Sequence, residues 1–146
     1  MNEVSTIRPK KFEYLEHTGD IGLKIYGTTL PELFANAAEG FTSIITEVEK
    51  IEPKFRNQIV VEANGLEELM IRWLNQINYL FEVEGKLFTK WEVCSLNKNR
   101  LSALGEGEDF DAQKHPILHE VKAATYHQLK LEKRKDGWFA QVIFDL

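Results

Sequence analysis

Glu16-His17-Thr18-Gly19-Asp20-Ile21-Gly22-Leu23-Lys24-Ile25-Tyr26 is the stretch from which the fold of this chain can be read. Ile21, Leu23 and Ile25 alternate with Asp20, Gly22, Lys24 and Tyr26. That is the period of a strand with one buried face. Residues 12–15 form a shorter strand before it, so residues 16–20 make a tight polar corner between two strands. Gly19 lets the corner take a backbone conformation that other residues resist. Parity places the Asp20 carboxylate away from the most apolar side of its strand. The corner also holds an imidazole and a hydroxyl. His17 beside Asp20 reads either as a base or metal ligand, or as a turn residue bonded to the backbone.

Working outward, Gly27 ends the strand and Thr29-Leu30-Pro31-Glu32 resembles a helix start, with a capping box from Thr29 to Glu32. The helix runs to about residue 46, with one apolar stripe of Leu33, Phe34, Ala37, Phe41, Ile44 and Ile45. Residues 58–63 alternate as a strand. Asn64-Gly65-Leu66-Glu67 caps a longer helix that runs to about Phe81 and stops near Gly85. Residues 86–95 and 100–105 form a hairpin around Asn97-Lys98-Asn99. Residues 105–116 are acidic and read as an irregular surface loop. Residues 121–133 alternate, Asp136-Gly137 turns the chain, and residues 138–145 return. The order is two strands, helix, strand, helix, then four strands. It predicts an α+β fold, a mixed, largely antiparallel sheet with two helices packed on one face and the other face partly open.

The chain has 146 residues, enough for one domain with a single sizeable core. Residues 1–11 are polar, carry Pro9 and read as a flexible arm; residues 12–146 are the domain. The arm has no apolar core of a signal peptide, and no stretch is long enough to span a membrane. These features predict a cytoplasmic protein. Net charge is -5, with 18 basic and 23 acidic residues, which argues against a dedicated nucleic-acid coat. Cys94 is the only cysteine, so an intramolecular disulfide and a Cys-based zinc site are excluded. It lies in an alternating run and reads as a packing residue.

No H-E-x-x-H, G-x-S-x-G or Walker loop is present, and Gly105-Glu106-Gly107 does not continue as a phosphate cradle. His115, before Pro116, reads as solvated, His119 as loop or strand edge, and His127 as a partly buried strand residue. Oxygen ligands for a hard cation have better support. Asp20 starts one strand, Asp145 ends the last, and Leu146 adds a carbonyl and a terminal carboxylate. A sheet that joins the first and last strands gathers these charges; otherwise residues 145 and 146 are a frayed end.

Three separated motifs resemble the archease family. Residues 16–22, E-H-T-G-D-I-G, are similar to its E-H-T-A-D-I-G signature, with Gly19 in place of alanine. Residues 120–127, E-V-K-A-A-T-Y-H, resemble its E-V-K-A-[VI]-T-Y-H motif. Asp136-Gly137-Trp138 and Val142-Ile143-Phe144-Asp145-Leu146 resemble its closing strand. The middle, from Leu66-Glu67-Glu68-Leu69 to Glu82-Val83-Glu84-Gly85, also fits, so the likeness covers residues 12–146.

The resemblance implies an α+β sandwich similar to the Hsp33 chaperone domain. It implies a non-catalytic activator of the RtcB-type RNA ligase in tRNA splicing, promoting guanylylation of the ligase histidine and multiple turnover. The ligase seals a 2′,3′-cyclic phosphate or 3′-phosphate to a 5′-hydroxyl, and the activator meets RNA only indirectly. It implies a divalent metal ion, calcium, on Asp20, Asp145 and Leu146. Lys122, His127 and Glu106 are candidates for ligase contact or activation, and His17 for a role beside the metal or facing the partner. A chaperone-like or scaffolding module for RNA-processing proteins is the alternative. A metal-dependent hydrolase is a third reading, motivated only by the carboxylates.

Overall fold

The computed structural model describes residues 10–146 except Thr18, with His17 described by its backbone alone. Most of the expected arm lies outside the described residues. The elements are β1 (Phe12–His17), β2 (Asp20–Gly27), α1 (Leu30–Ile45), a 3-10 turn (Val48–Lys50), β3 (Phe55–Glu62), α2 (Leu66–Glu84), β4 (Lys86–Asn97), β5 (Arg100–Asp109), β6 (Ala123–Arg134) and β7 (Gly137–Asp145). The expected α+β class holds, with antiparallel pairing throughout the described strands. The strands divide into two sheets, ordered β1-β2-β7-β6 and β3-β5-β4. Both helices touch both sheets: α1 meets β2 and β4, and α2 meets β6, β3 and β4. Each sheet therefore has helices on one face, and those helices form a layer shared by the two.

This shared layer explains why α1 is buried well beyond its apolar stripe. Asn36, Ala38, Gly40 and Thr42 are buried along with Leu33, Phe34, Phe41 and Ile45. The helix begins as expected, with the Thr29 hydroxyl accepting from the Glu32 N–H at 3.2 Å. The Glu32 carboxylate reaches back to the N–H and hydroxyl of Thr28, one residue before the cap. In α2 the N-cap is Gly65 rather than Asn64, and Glu68 accepts from the Asn64 N–H at 2.6 Å. The Trp73 indole N–H donates to the Phe34 carbonyl at 2.9 Å inside the core and locks the two helices together. Fully buried Phe34, Phe41, Trp73, Phe88 and Phe144 form one cluster with both sheets. Each contributes roughly 1.5–3 kcal/mol by leaving water.

Several expectations are corrected. Residues 105–109 are not loop: β5 continues to Asp109, paired with β4 and β3. Its glycines are there for close approach. A Cβ on Gly107 would lie 1.8 Å from the Leu87 carbonyl oxygen, where β4 shifts register between Phe88 and Lys90. Cys94 is exposed, because it shares the outward parity of Lys90 and Glu92 on β4, opposite to that of Trp91 and Val93. His127 is exposed as well. Between Thr125 and Lys130, β6 passes four residues across a single position of β7, and Gln128 sits in this bulge at φ 52°.

Candidate functional site

The hairpin of β1 and β2 closes on the pair His17 and Asp20, with Gly19 at φ 78° between them. This left-handed corner starts β2 at Asp20. On its other side β2 pairs along its whole length with β7, and Asp20 stands directly opposite Asp145. Residues 125 positions apart in the chain are thereby neighbours, and the frayed-end reading of residue 145 is corrected. Asp145 also faces Ala123 on β6, and its carbonyl accepts from the Lys122 N–H at 2.8 Å. It is thus held between two strands. Leu146 follows it and packs against the core.

Directly opposed side chains in antiparallel strands have Cβ atoms about 4.5–5.5 Å apart, and like charges there repel. Asp20 is half-buried, which reduces screening, whereas Asp145 is exposed. Among the described residues, no three His, Cys, Asp or Glu side chains group as a metal site. The donors are two carboxylates with main-chain oxygen beside them. That all-oxygen set fits a hard cation completing its shell with water and does not fit a soft metal.

Beside Asp20 lies a cleft of about 870 Å³, whose walls include Tyr14, Ile44 and Leu118 and whose rim carries Glu16, Asp20 and Leu146. Lys122 is exposed and adjoins the site through its backbone. His127 lies on the β6 bulge of the same sheet. Glu106 belongs to the other sheet, 4.0 Å from Arg56. The side chain of His17 is outside the described residues. Asp20, Asp145 and Leu146 therefore come together, Lys122 borders them, and Glu106 does not.

A second charged cluster went unread in the sequence. His115 is buried, not solvated: its side chain is 0% exposed. Its Nδ1 accepts from the Asp111 N–H at 2.9 Å, which leaves Nε2–H to donate to Glu108 at 2.9 Å. Glu108 also receives Lys114 at 2.7 Å, Lys54 at 3.3 Å and the Glu52 N–H at 2.9 Å. Burial pushes its carboxyl up, but hydrogen bonds from Lys114, Glu52, His115 and Lys54 outweigh that and hold it down at about 2. The cluster ties the end of β5 to the segment that leads into β6. That segment then donates the Leu118 N–H to the Ile45 carbonyl at 2.7 Å and so forms a wall of the cleft beside Asp20.

Residues 12–146 match the model of the Archease protein family (MTH1598/TM1083). Protein archease of Methanosarcina mazei is 40% identical over 141 residues, covering 94% of this chain and 97% of that one. Protein archease of Pyrococcus furiosus is also 40% identical over 141 residues, covering 94% and 99%. The solution structure of Methanobacterium thermoautotrophicum protein 1598 superposes with a TM-score of 0.77 at 24% identity, covering 93% of this chain and 99% of that one. An archease from Thermotoga maritima, described as a possible chaperone, superposes with a TM-score of 0.61 at 21% identity, covering 96% and 98%. With the family's signature corner and closing strand brought face to face at Asp20 and Asp145, this chain belongs to the archease family.

Proposed function

We propose that this chain is a non-catalytic activator of an RtcB-type RNA ligase in tRNA splicing. It acts in the cytoplasm, promotes guanylylation and multiple turnover of the ligase, and meets RNA only through the ligase. The observation that carries this reading is the opposition of Asp20 and Asp145 in a chain of the archease family. Asp20, Asp145 and Leu146 would hold a divalent cation, calcium. When bound, that ion neutralises the two carboxylates and offers further coordination positions to oxygen ligands. The carboxylates would hold the ion at the end of the sheet, and the Lys122 N–H fixes the backbone under Asp145.

Single-turnover guanylylation of the cognate ligase tests the reading. Addition of the wild-type protein is expected to raise the rate and the number of turnovers, and Asp145→Ala to lose both effects. An unchanged rate with wild-type protein would falsify the proposal. The Thermotoga maritima archease is described as a possible chaperone, which favours one alternative, a module that protects RNA-processing proteins from aggregation. That alternative gains if light scattering shows protection of unrelated clients by both wild type and Asp145→Ala.

A further inference from the structure

The cleft beside Asp20 does not end there. A second hollow of about 330 Å³ continues it along α1, and the two share Tyr14, Ser43 and Leu118. The apolar surface in this groove is exposed but fixed. Tyr14 is 55% exposed, yet its hydroxyl is 2.7 Å from that of Ser43 and its ring packs edge-on against Phe12 at 6.0 Å. Leu118 is 48% exposed, while its N–H is tied to the end of α1. Ile117 beside it is 43% exposed. Rigid, exposed apolar side chains lose little entropy on contact and are the usual anchors of an interface.

Among the described residues, the charged side chains that line these hollows are carboxylates, with His119 beside them in the cleft next to Asp20. Glu16 and Asp20 line one end of the groove, and Glu39, Glu47 and Glu49 line the other. No lysine or arginine is among the described residues that line either hollow. Lys11 and Lys50 reach Glu39 and Glu47 from outside, at 3.2 and 2.9 Å, as largely exposed pairs of the kind that contribute little to stability and so cost little to replace. An apolar floor between carboxylates selects its complement, apolar side chains flanked by basic ones.

We infer that the groove running from Asp20 past Tyr14 and Leu118 to Glu47 and Glu49 is the docking site for a basic, amphipathic segment of a partner protein. This deepens the activator reading and rests on it only in taking that partner to be the ligase. Leu118 and Tyr14 seat the apolar residues, and the glutamates receive lysine or arginine on either side. Docking along α1 would bring the partner to the end of the sheet that carries Asp20 and Asp145.

The test is calorimetric titration of the cognate ligase, and separately of a synthetic Leu/Lys amphipathic peptide, into wild type, Leu118→Ser and Glu47→Lys/Glu49→Lys. Both variants are expected to weaken both ligands about tenfold. Added salt should weaken wild type more than the charge variant. Thermal melts and the calcium titration of the charge variant should match wild type. Wild-type affinity in both variants, for both ligands, overturns the groove and leaves the activator reading standing. Wild-type protein that takes up the peptide at the groove but ignores the ligase overturns the activator reading instead. A concentration-dependent dimer that Leu118→Ser abolishes would assign the groove to a second copy of this chain and overturn the proposal.

Discussion

Two groups of carboxylates sit in this protein under opposite conditions. Glu108 is buried, 5% exposed, and receives two lysines, a histidine and a backbone N–H. Asp20 and Asp145 stand at the end of a sheet with a like charge opposite each. Glu108 is held ionised by its own protein and has its acceptor positions occupied, so it serves the fold. The aspartates face each other across the ladder, and the role proposed for them is to hold a cation. The contrast is between a charge whose partners all lie within the fold and a pair for which a ligand is proposed.

The largest expected effect is on the Glu108 side. Glu108→Gln leaves Lys54 without its carboxylate, Lys114 with Glu52 alone and His115 facing a neutral amide, and should cost about 2–3 kcal/mol, read as a fall in thermal midpoint of about 5–10 °C. The same residue sets an acid limit. Its carboxyl in the folded protein, at about 2, lies below its ordinary value of 4.5, so its stabilisation is complete above about pH 4.5 and is lost as pH falls toward 2. Glu108→Gln should flatten that part of the stability curve. An unaltered acid profile would mean that other carboxylates dominate it.

An intermediate effect is expected at His115. His115→Gln removes one or both ring hydrogen bonds and should cost about 1–2 kcal/mol. Limited proteolysis should then cut between residues 110 and 118 faster than in wild type. Equal cutting rates would show that the Leu118 N–H anchor alone holds the segment.

The smallest effect on the fold itself belongs to the aspartates. In calcium-free buffer, Asp145→Asn should shift stability by no more than about 0.5 kcal/mol, in the stabilising direction, because it removes a like-charge pair. With calcium present, wild type is expected to rise in midpoint and Asp145→Asn to show no such rise. A cost comparable to that of Glu108→Gln would erase the contrast between the two groups.

The aspartate site was more legible in the sequence than the glutamate cluster, for a physical reason. Alternation fixed the face of Asp20, and the E-H-T-G-D-I-G and closing-strand motifs tied it to Asp145 and Leu146. Register then needed only the meeting of the first and last strands. Glu108 and His115 gave no such signal. Residues 105–116 read as an acidic loop, yet Gly105 and Gly107 let β5 run on, because Phe88, Trp91 and the β4 backbone leave no space for a Cβ. His115 before Pro116 reads as loop, and its partner is seven positions away on a strand whose length was underestimated. The two helices were legible from their periodicity, but not that they serve two sheets. Division into sheets depends on long-range pairing that local patterns do not carry. Residues 126–129 in β6 escaped for the same reason, since a bulge is a relation between strands.

The contacts of α2 with β6 have a consequence for how molecules of this protein meet one another. Asn75 on the helix accepts from the Ala124 N–H at 2.8 Å and donates to the Ala124 carbonyl at 3.3 Å, and Asn78 donates to the Val121 carbonyl at 2.9 Å. The asparagines thus stand in for the missing neighbour strand where the chain enters β6. Further along, the bulge interrupts the ladder, and Lys130, Lys133, Arg134 and Lys135 charge what remains. Side-chain amides, an irregular backbone and lysines are all ways of refusing an incoming strand. This margin of the sheet therefore carries the features that disfavour edge-to-edge pairing with another strand.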